Sequence, residues 1–214
     1  MKTDVKIVIG VIVGTIVLFG GLLWLMSNSQ TPQNLENELL IGTNPHEKGA
    51  SSEEAVLTIV EFSDFQCPAC RATQPFLSQF VEENKDNVRL IYRHFPLVTL
   101  HVNAQTAAIA SEVAAEMGKF WEYHDILFEN QTKWAEEPAP QNLFVQFAGE
   151  IGLDETVFRD SLAEEIYSGR VREDASFADE LNLNSTPSIF FNGTLHKGIP
   201  SPDQMATYLQ EATN

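Results

Sequence analysis

The chain has 214 residues, and its 13 lysines and arginines against 30 aspartates and glutamates leave a net charge of −17. A hydrophobic content of 43% supplies a packed core and excludes global disorder, while so acidic a chain excludes nucleic-acid binding, which needs Lys and Arg against phosphate. Two cysteines are too few for a disulfide-dense scaffold and too few alone for a zinc site, so their placement carries the information.

The first element is apolar. From Ile7 to Met26 the chain reads IVIGVIVGTIVLFGGLLWLM, a stretch of 20 residues without a charge. At about 1.5 Å per helical residue it matches the roughly 30 Å of a bilayer's hydrocarbon layer. Lys2 and Lys6 precede it and the next basic residue is Lys48, so the amino terminus is expected in the cytoplasm and the rest outside. Residues 1–26 are therefore expected to be an uncleaved anchor, with a cleaved secretion signal ending near Ser27 and Ser29 as the alternative. Residues 27–51 are polar and read as a linker, with the folded domain expected over 52–214.

Ala55 to Phe62 (AVLTIVEF) is β-branched and apolar, as a buried strand should be. Ser63-Asp64-Phe65-Gln66 and then Cys67-Pro68-Ala69-Cys70 follow, and after them a helical pattern carries Phe76, Phe80 and Val81. Pro68 suits the first helical position, which makes Cys67 the cap residue with unpaired backbone N–H groups aimed at its sulfur. A helix start favours thiolate over thiol. Cys70, one turn inside, should be buried and within disulfide reach, so that one sulfur attacks and the other resolves. A zinc reading needs further ligands, and the five histidines include no pair three to five residues apart, so no metal is expected. Glu61 falls six residues before Cys67, either beneath the pair as a buried proton carrier or facing out at the strand end.

Val88 to Phe95 reads as the next strand. Helical patterns then run over 104–118, 120–130, 138–152, 154–162 and 166–181, with Gly118, Gly152 and Gly169 at the breaks, so a helical insertion is expected over about 99–182. His94 and His124 sit in apolar surroundings and read as packed or hydrogen-bonded histidines, and Trp121 and Tyr123 read as core of the helical layer. Ser185-Thr186-Pro187 leads into a strand at Ser188 to Phe191, where Pro187 is a candidate cis residue. An Asn192-Gly193 hairpin turn, a strand over 195–197 and a last helix over 202–212 complete the chain.

The string VEFSDFQCPACRATQPF resembles the active-site strand and helix of DsbA-like thioredoxin-fold oxidoreductases, the group that includes membrane-anchored BdbD-type proteins. Glu61 and Pro75 match the acid and the proline of that pattern, Thr186-Pro187 looks like its cis-proline, and RHFPL and STPSIFFNGTLHKG are also similar. The resemblance implies an α/β thioredoxin fold with a helical insertion, preceded by a transmembrane helix. It also implies an extracytoplasmic enzyme that forms disulfides in exported proteins. Cys67, Cys70, Glu61 and Pro187 would be its catalytic residues, and Pro68, Ala69 and Thr186 would meet the substrate. It needs no cofactor beyond the redox-active Cys67–Cys70 disulfide, and its implied partners are exported proteins with cysteine thiols and a membrane redox partner of DsbB or BdbC type. Two alternatives stay open: a reductase or isomerase with the same site fed by a membrane electron donor, and a tethered peptide-binding or chaperone-like module whose disulfide is structural.

Overall fold

The structure, a computed structural model, describes residues 36–164 and 167–214. The apolar segment expected to span a membrane, and the linker before residue 36, lie outside the described residues. Among the described residues no helix is long and apolar enough to cross a membrane.

Helix α1 (Asn37–Ile41) and strand β1 (His46–Gly49) precede strand β2 (Leu57–Ser63), helix α2 (Pro68–Glu83) and strand β3 (Val88–His94). Among the described residues six helices follow: α3 (Ala104–Glu116), α4 (Phe120–Glu129), α5 (Gln131–Trp134), α6 (Gln141–Glu150), α7 (Glu155–Leu162) and α8 (Ser168–Glu180). The chain returns through β4 (Ser188–Phe191) and β5 (Thr194–His196) to α9 (Pro202–Thr213). The five strands form one sheet in the order β1-β3-β2-β4-β5. The central pair β2 and β3 is parallel, with α2 as the crossover, and both strands are buried along their whole length. Their β-branched runs are what a strand covered on both faces requires.

Alternation sorts the side chains. Leu57, Ile59, Val88 and Leu90 face α2 and α9, packing with Leu77, Phe80, Val81 and Met205. Val60, Phe62 and Ile91 face the other way, onto Leu40 of α1 and Ala178 of α8. A third cluster fills the helical layer around Tyr123, Trp134, Phe144 and Phe158, and it extends to Phe65, Cys67, Cys70 and Tyr92. The two cysteines therefore sit where the helical layer meets the sheet.

The structure differs from the expected elements in several places, among them the unexpected helix α5 between the patterns at 120–130 and 138–152. The expected polar linker is shorter, because Asn37–Ile41 is helical, Leu40 is fully buried, and His46–Gly49 pairs antiparallel with β3. The domain thus begins before Ser52. His-Glu-Lys-Gly lacks the apolar alternation of a strand because β1 is an edge strand, held by backbone pairing, the Arg89–Glu47 ion pair at 2.5 Å and a Trp121 indole bond to the Glu47 carbonyl. The helix expected from Pro138 starts at Gln141, after Pro140. Gly169 lies inside α8 rather than at its break, and Ile166, its expected start, falls outside the described residues. The hairpin follows its turn chemistry, with Asn192 at φ 44° and Gly193 at φ 81°.

Candidate active site

Cys67 caps α2 with extended backbone angles (φ −70°, ψ 123°), Pro68 opens the helix, and Pro75 lies within it. Cys70, one turn in, is fully buried, whereas Cys67 keeps 7% of its surface. Pro68 is exposed and Ala69 half-buried, so this dipeptide forms the surface beside the Cys67 sulfur. Opposite stands the Thr186-Pro187 peptide, which is cis, and the Cys67 thiol donates to the Thr186 carbonyl at 3.4 Å.

The electrostatics separate the two sulfurs. The Cys67 thiol is pulled down to about 5, foremost by the Cys70 thiol donating to it; burial opposes this, while the Thr186 side chain and the backbone N–H groups of Cys70 and Ala69 add to it. The Thr186 hydroxyl is buried and has no hydrogen-bond partner among the described residues while Cys67 is a thiol. It is the donor available to the sulfur once the proton leaves. Cys70 moves the other way, pushed up by burial, by its bond to Cys67 and by the charge of Glu61. The arrangement thus makes Cys67 the sulfur that can ionise and Cys70 the one that keeps its proton.

Glu61 lies on the α2 face of β2, only 2% exposed, so the structure takes the buried reading over the outward-facing one. Its carboxyl is raised to about 7 by burial, against the hydrogen bond that Ser63 Oγ donates to Oε1 at 2.9 Å, with the Cys67 charge raising it further. A carboxyl poised there can return a proton to Cys70 or take one from it. Because the folded value is raised, its contribution to stability is full below the ordinary 4.5 and is lost as pH rises through about 7. Cys67, being lowered, contributes in the opposite sense from about 5 upward. Comparing the stability curve of Glu61→Gln with that of the parent, both with the Cys67–Cys70 disulfide formed, keeps cysteine ionisation out of the difference. The difference is expected to grow in favour of the variant by about 3 kcal/mol between pH 4 and 8, read by urea unfolding.

Sequence reasoning missed the braces that hold this loop. Asp64 accepts the Gln66 and Leu97 backbone N–H groups and lies 2.7 Å from His101 Nδ1. Gln66 accepts from the Asn103 N–H, and Gln131 donates to the Phe65 and Cys67 carbonyls at 2.7 and 3.0 Å. No local motif marks these residues, since each partner lies on a different element. His94 and His124 are buried in the ring cluster around Tyr92 and Phe65. His94 and His46 both place Nε2 within 2.7 Å of Glu112 Oε1, a trio whose ligand atoms lie within 4.8 Å of one another. Arg170 reaches the same oxygen at 3.4 Å, so the carboxylate is already neutralised by protein groups.

A family model described as thioredoxin matches residues 45–211. The chain is 37% identical over 164 residues to a Na(+)/H(+) antiporter NhaA 3 of Salinispora tropica, a match covering 75% of this chain and 24% of that protein. It thus spans about a quarter of the length of the first such relatives. It is 25% identical over 202 residues to the "Probable disulfide bond formation protein D" of Bacillus cereus, covering 91% of this chain and 92% of the relative. Among solved structures it is similar to a thioredoxin-like oxidoreductase from Silicibacter pomeroyi, with a TM-score of 0.68, 26% identity, and coverage of 82% of this chain and 95% of that one. Oxidised BdbD from Bacillus subtilis matches in fold with a TM-score of 0.70 at 20% identity, covering 86% of this chain and 97% of that one.

Proposed function

Because the chain belongs to the thioredoxin family, with the fold and relatives of DsbA-like thiol–disulfide oxidoreductases, we propose that it forms disulfides in exported proteins through Cys67 and Cys70. The observation that carries this reading is the split between the sulfurs. One lies at a helix start, lowered to about 5 and facing the Thr186-Pro187 peptide; the other is buried and raised. A client thiolate attacks Cys67 of the disulfide, and the bonding pair of electrons goes to Cys70, which takes a proton from Glu61. A second client thiolate then attacks the client sulfur of the mixed disulfide. The client leaves oxidised, and Cys67 departs as a thiolate. Pro68, Ala69, Thr186 and Pro187 frame the extended client segment, as backbone pairing at such a groove requires.

Protein clients also fit the surface. Val98, Leu100 and Val102 are 51%, 73% and 78% exposed on the loop that Asp64 and Gln66 tie to the approach of Cys67. Apolar side chains grouped on a surface mark a site for another protein. An apolar span over residues 7–26 would tether the domain outside the cytoplasm, where a membrane redox partner of DsbB or BdbC type can reoxidise it. The transport named for the antiporter relatives is not part of this reading, because only about a quarter of each is matched.

The test is the redox equilibrium of the full chain against glutathione at pH 7, with Cys67 thiolate absorbance titrated on the same sample. A potential above about −150 mV with a midpoint below about 6 is expected. A potential near about −250 mV with a midpoint near 7 would instead make the same site a reductase. In parallel, Cys70→Ser is expected to accumulate the client mixed disulfide on Cys67, seen as a mass shift that dithiothreitol removes. Trapping on Cys70 in the reciprocal variant, and not on Cys67, would reverse the roles.

A further inference from the structure

One buried polar group beside the redox pair has no role in the steps above. Tyr92 of β3 is directly opposite Glu61 of β2 in the parallel register, with His94 opposite Ser63. Residues so paired project to the same face, here the face under Cys70. The Tyr92 ring is held from several sides, stacked on Phe65 at 5.2 Å and meeting His94, His124 and Phe120 at 5.3, 5.1 and 5.5 Å. Its hydroxyl is buried and makes no hydrogen bond among the described residues. A phenol left in that state is destabilising, a cost that phenylalanine would avoid at the same shape.

The surroundings show what the hydroxyl is placed for. The charges that bear on Tyr92 are those of Glu61, Cys70 and Asp64, and the Ser63 hydroxyl lies near enough to act as its hydrogen-bond partner although no bond of ordinary geometry is formed. The Ser63 hydroxyl also acts on Cys70 and donates to Glu61. Burial and these negative neighbours keep the phenol neutral, and therefore a donor. The remaining ionisable groups around it are Cys67, His94 and His124, with Glu112 and His46 behind His94 and Asp125 bonded to His124.

We propose that Tyr92 is a positioning residue of the redox site: its hydroxyl turns onto the Glu61–Ser63 pair when Glu61 has given its proton to Cys70, and it holds the carboxylate until a proton returns. The inference rests on the disulfide-exchange reading. The proton balance is closed. Of the two protons released by a client dithiol, one replaces the proton Glu61 passed to Cys70 and the other goes to solvent with Cys67 left as thiolate. Tyr92 transfers none; it only donates a hydrogen bond to the charged form of Glu61, which favours that form. In the reverse direction the same bond keeps Glu61 ionised and ready to take the proton of Cys70 as it attacks a mixed disulfide.

The experiment compares the full chain with Tyr92→Phe. The carboxyl band of Glu61 is followed by infrared titration in the oxidised protein, where neither cysteine ionises. The midpoint is expected about one unit higher in the variant. Resolution of a glutathione mixed disulfide by Cys70 should be up to about tenfold slower at pH 7, and equal in the two proteins once Glu61 is ionised in both. In a Glu61→Gln background Tyr92→Phe should change nothing. Incorporating 3-fluorotyrosine at position 92, which keeps the ring and strengthens the donor, should move the midpoint down. An unchanged midpoint, or a slowing that persists at all pH values or without Glu61, would overturn the role of Tyr92. Failure of the parent protein to exchange with glutathione would defeat the redox reading instead, and the infrared midpoint would still decide on Tyr92.

Discussion

Replacing Cys67 with serine is expected to remove thiol–disulfide exchange, lowering the rate of dithiol oxidation by at least about three orders of magnitude with the fold intact. A serine hydroxyl does not ionise in this range, so nucleophile and leaving group are lost together. Cys70 cannot substitute, being fully buried and raised by burial and by the charge of Glu61. The same lowering shifts the pair toward its reduced state. A Cys67 thiol at about 5 rather than 9 stabilises the reduced pair by about 3 kcal/mol at pH 7, on the order of 60 mV toward an oxidant. The Pro-Ala dipeptide contributes no charge to that shift. It comes from the Cys70 thiol, the Thr186 side chain and the first N–H groups of α2. The measurement is oxidation of a model dithiol peptide by the purified oxidised chain, with melting temperature as the control for folding. Exchange within tenfold of the parent would leave the pair as a structural disulfide and favour the peptide-binding alternative.

Legibility in the sequence follows the range of the interaction. Cys67, Pro68 and Cys70 are contiguous, and capping is local, so their placement at the start of α2 is readable from four residues. Glu61 is readable as far as the alternation of β2 carries it, but its burial depends on α2 and the helical layer closing over it, which no strand pattern states. Ser63 and Tyr92 show the limit. Each is an ordinary strand residue until the β2–β3 register puts Tyr92 beside Glu61, and register is a property of two segments. Strand β1 was hidden for a different reason: an edge strand with the polar string His-Glu-Lys-Gly is held by backbone bonds and three long side chains, which leaves no hydrophobic period. The braces from Gln131, Asn103 and Asp64 join the Cys67 loop to elements up to 66 residues away, and no short window contains both ends.

The largest effect on stability is expected at Asp174, far from the chemistry and invisible to motif reading. Arg93 of β3 points to the face opposite Tyr92 and lies between the rings of Phe62 and Phe177, at 5.4 and 5.1 Å. Its Nε donates to Asp174 Oδ1 at 2.5 Å, and its terminal nitrogen donates to the Leu40 carbonyl at 2.7 Å. The second oxygen of Asp174 accepts the backbone N–H of His94 at 2.9 Å. Both side chains are nearly inaccessible, at 4% and 5%. One carboxylate thus joins α8, β3 and, through the guanidinium, α1. Asp174→Ala would leave a buried cation without a counterion and a strand N–H without an acceptor, a loss of about 3–5 kcal/mol. Asp174→Asn keeps an acceptor for one donor and should lose less. Arg93→Met combined with Asp174→Leu should recover most of the loss, because apolar groups of similar volume replace a buried pair at little net cost. Urea midpoints at constant slope measure all three variants. If the double variant is as unstable as Asp174→Ala, the carboxylate's bond to the His94 N–H, and not the burial of the unpaired guanidinium, is what stabilises this face of the sheet.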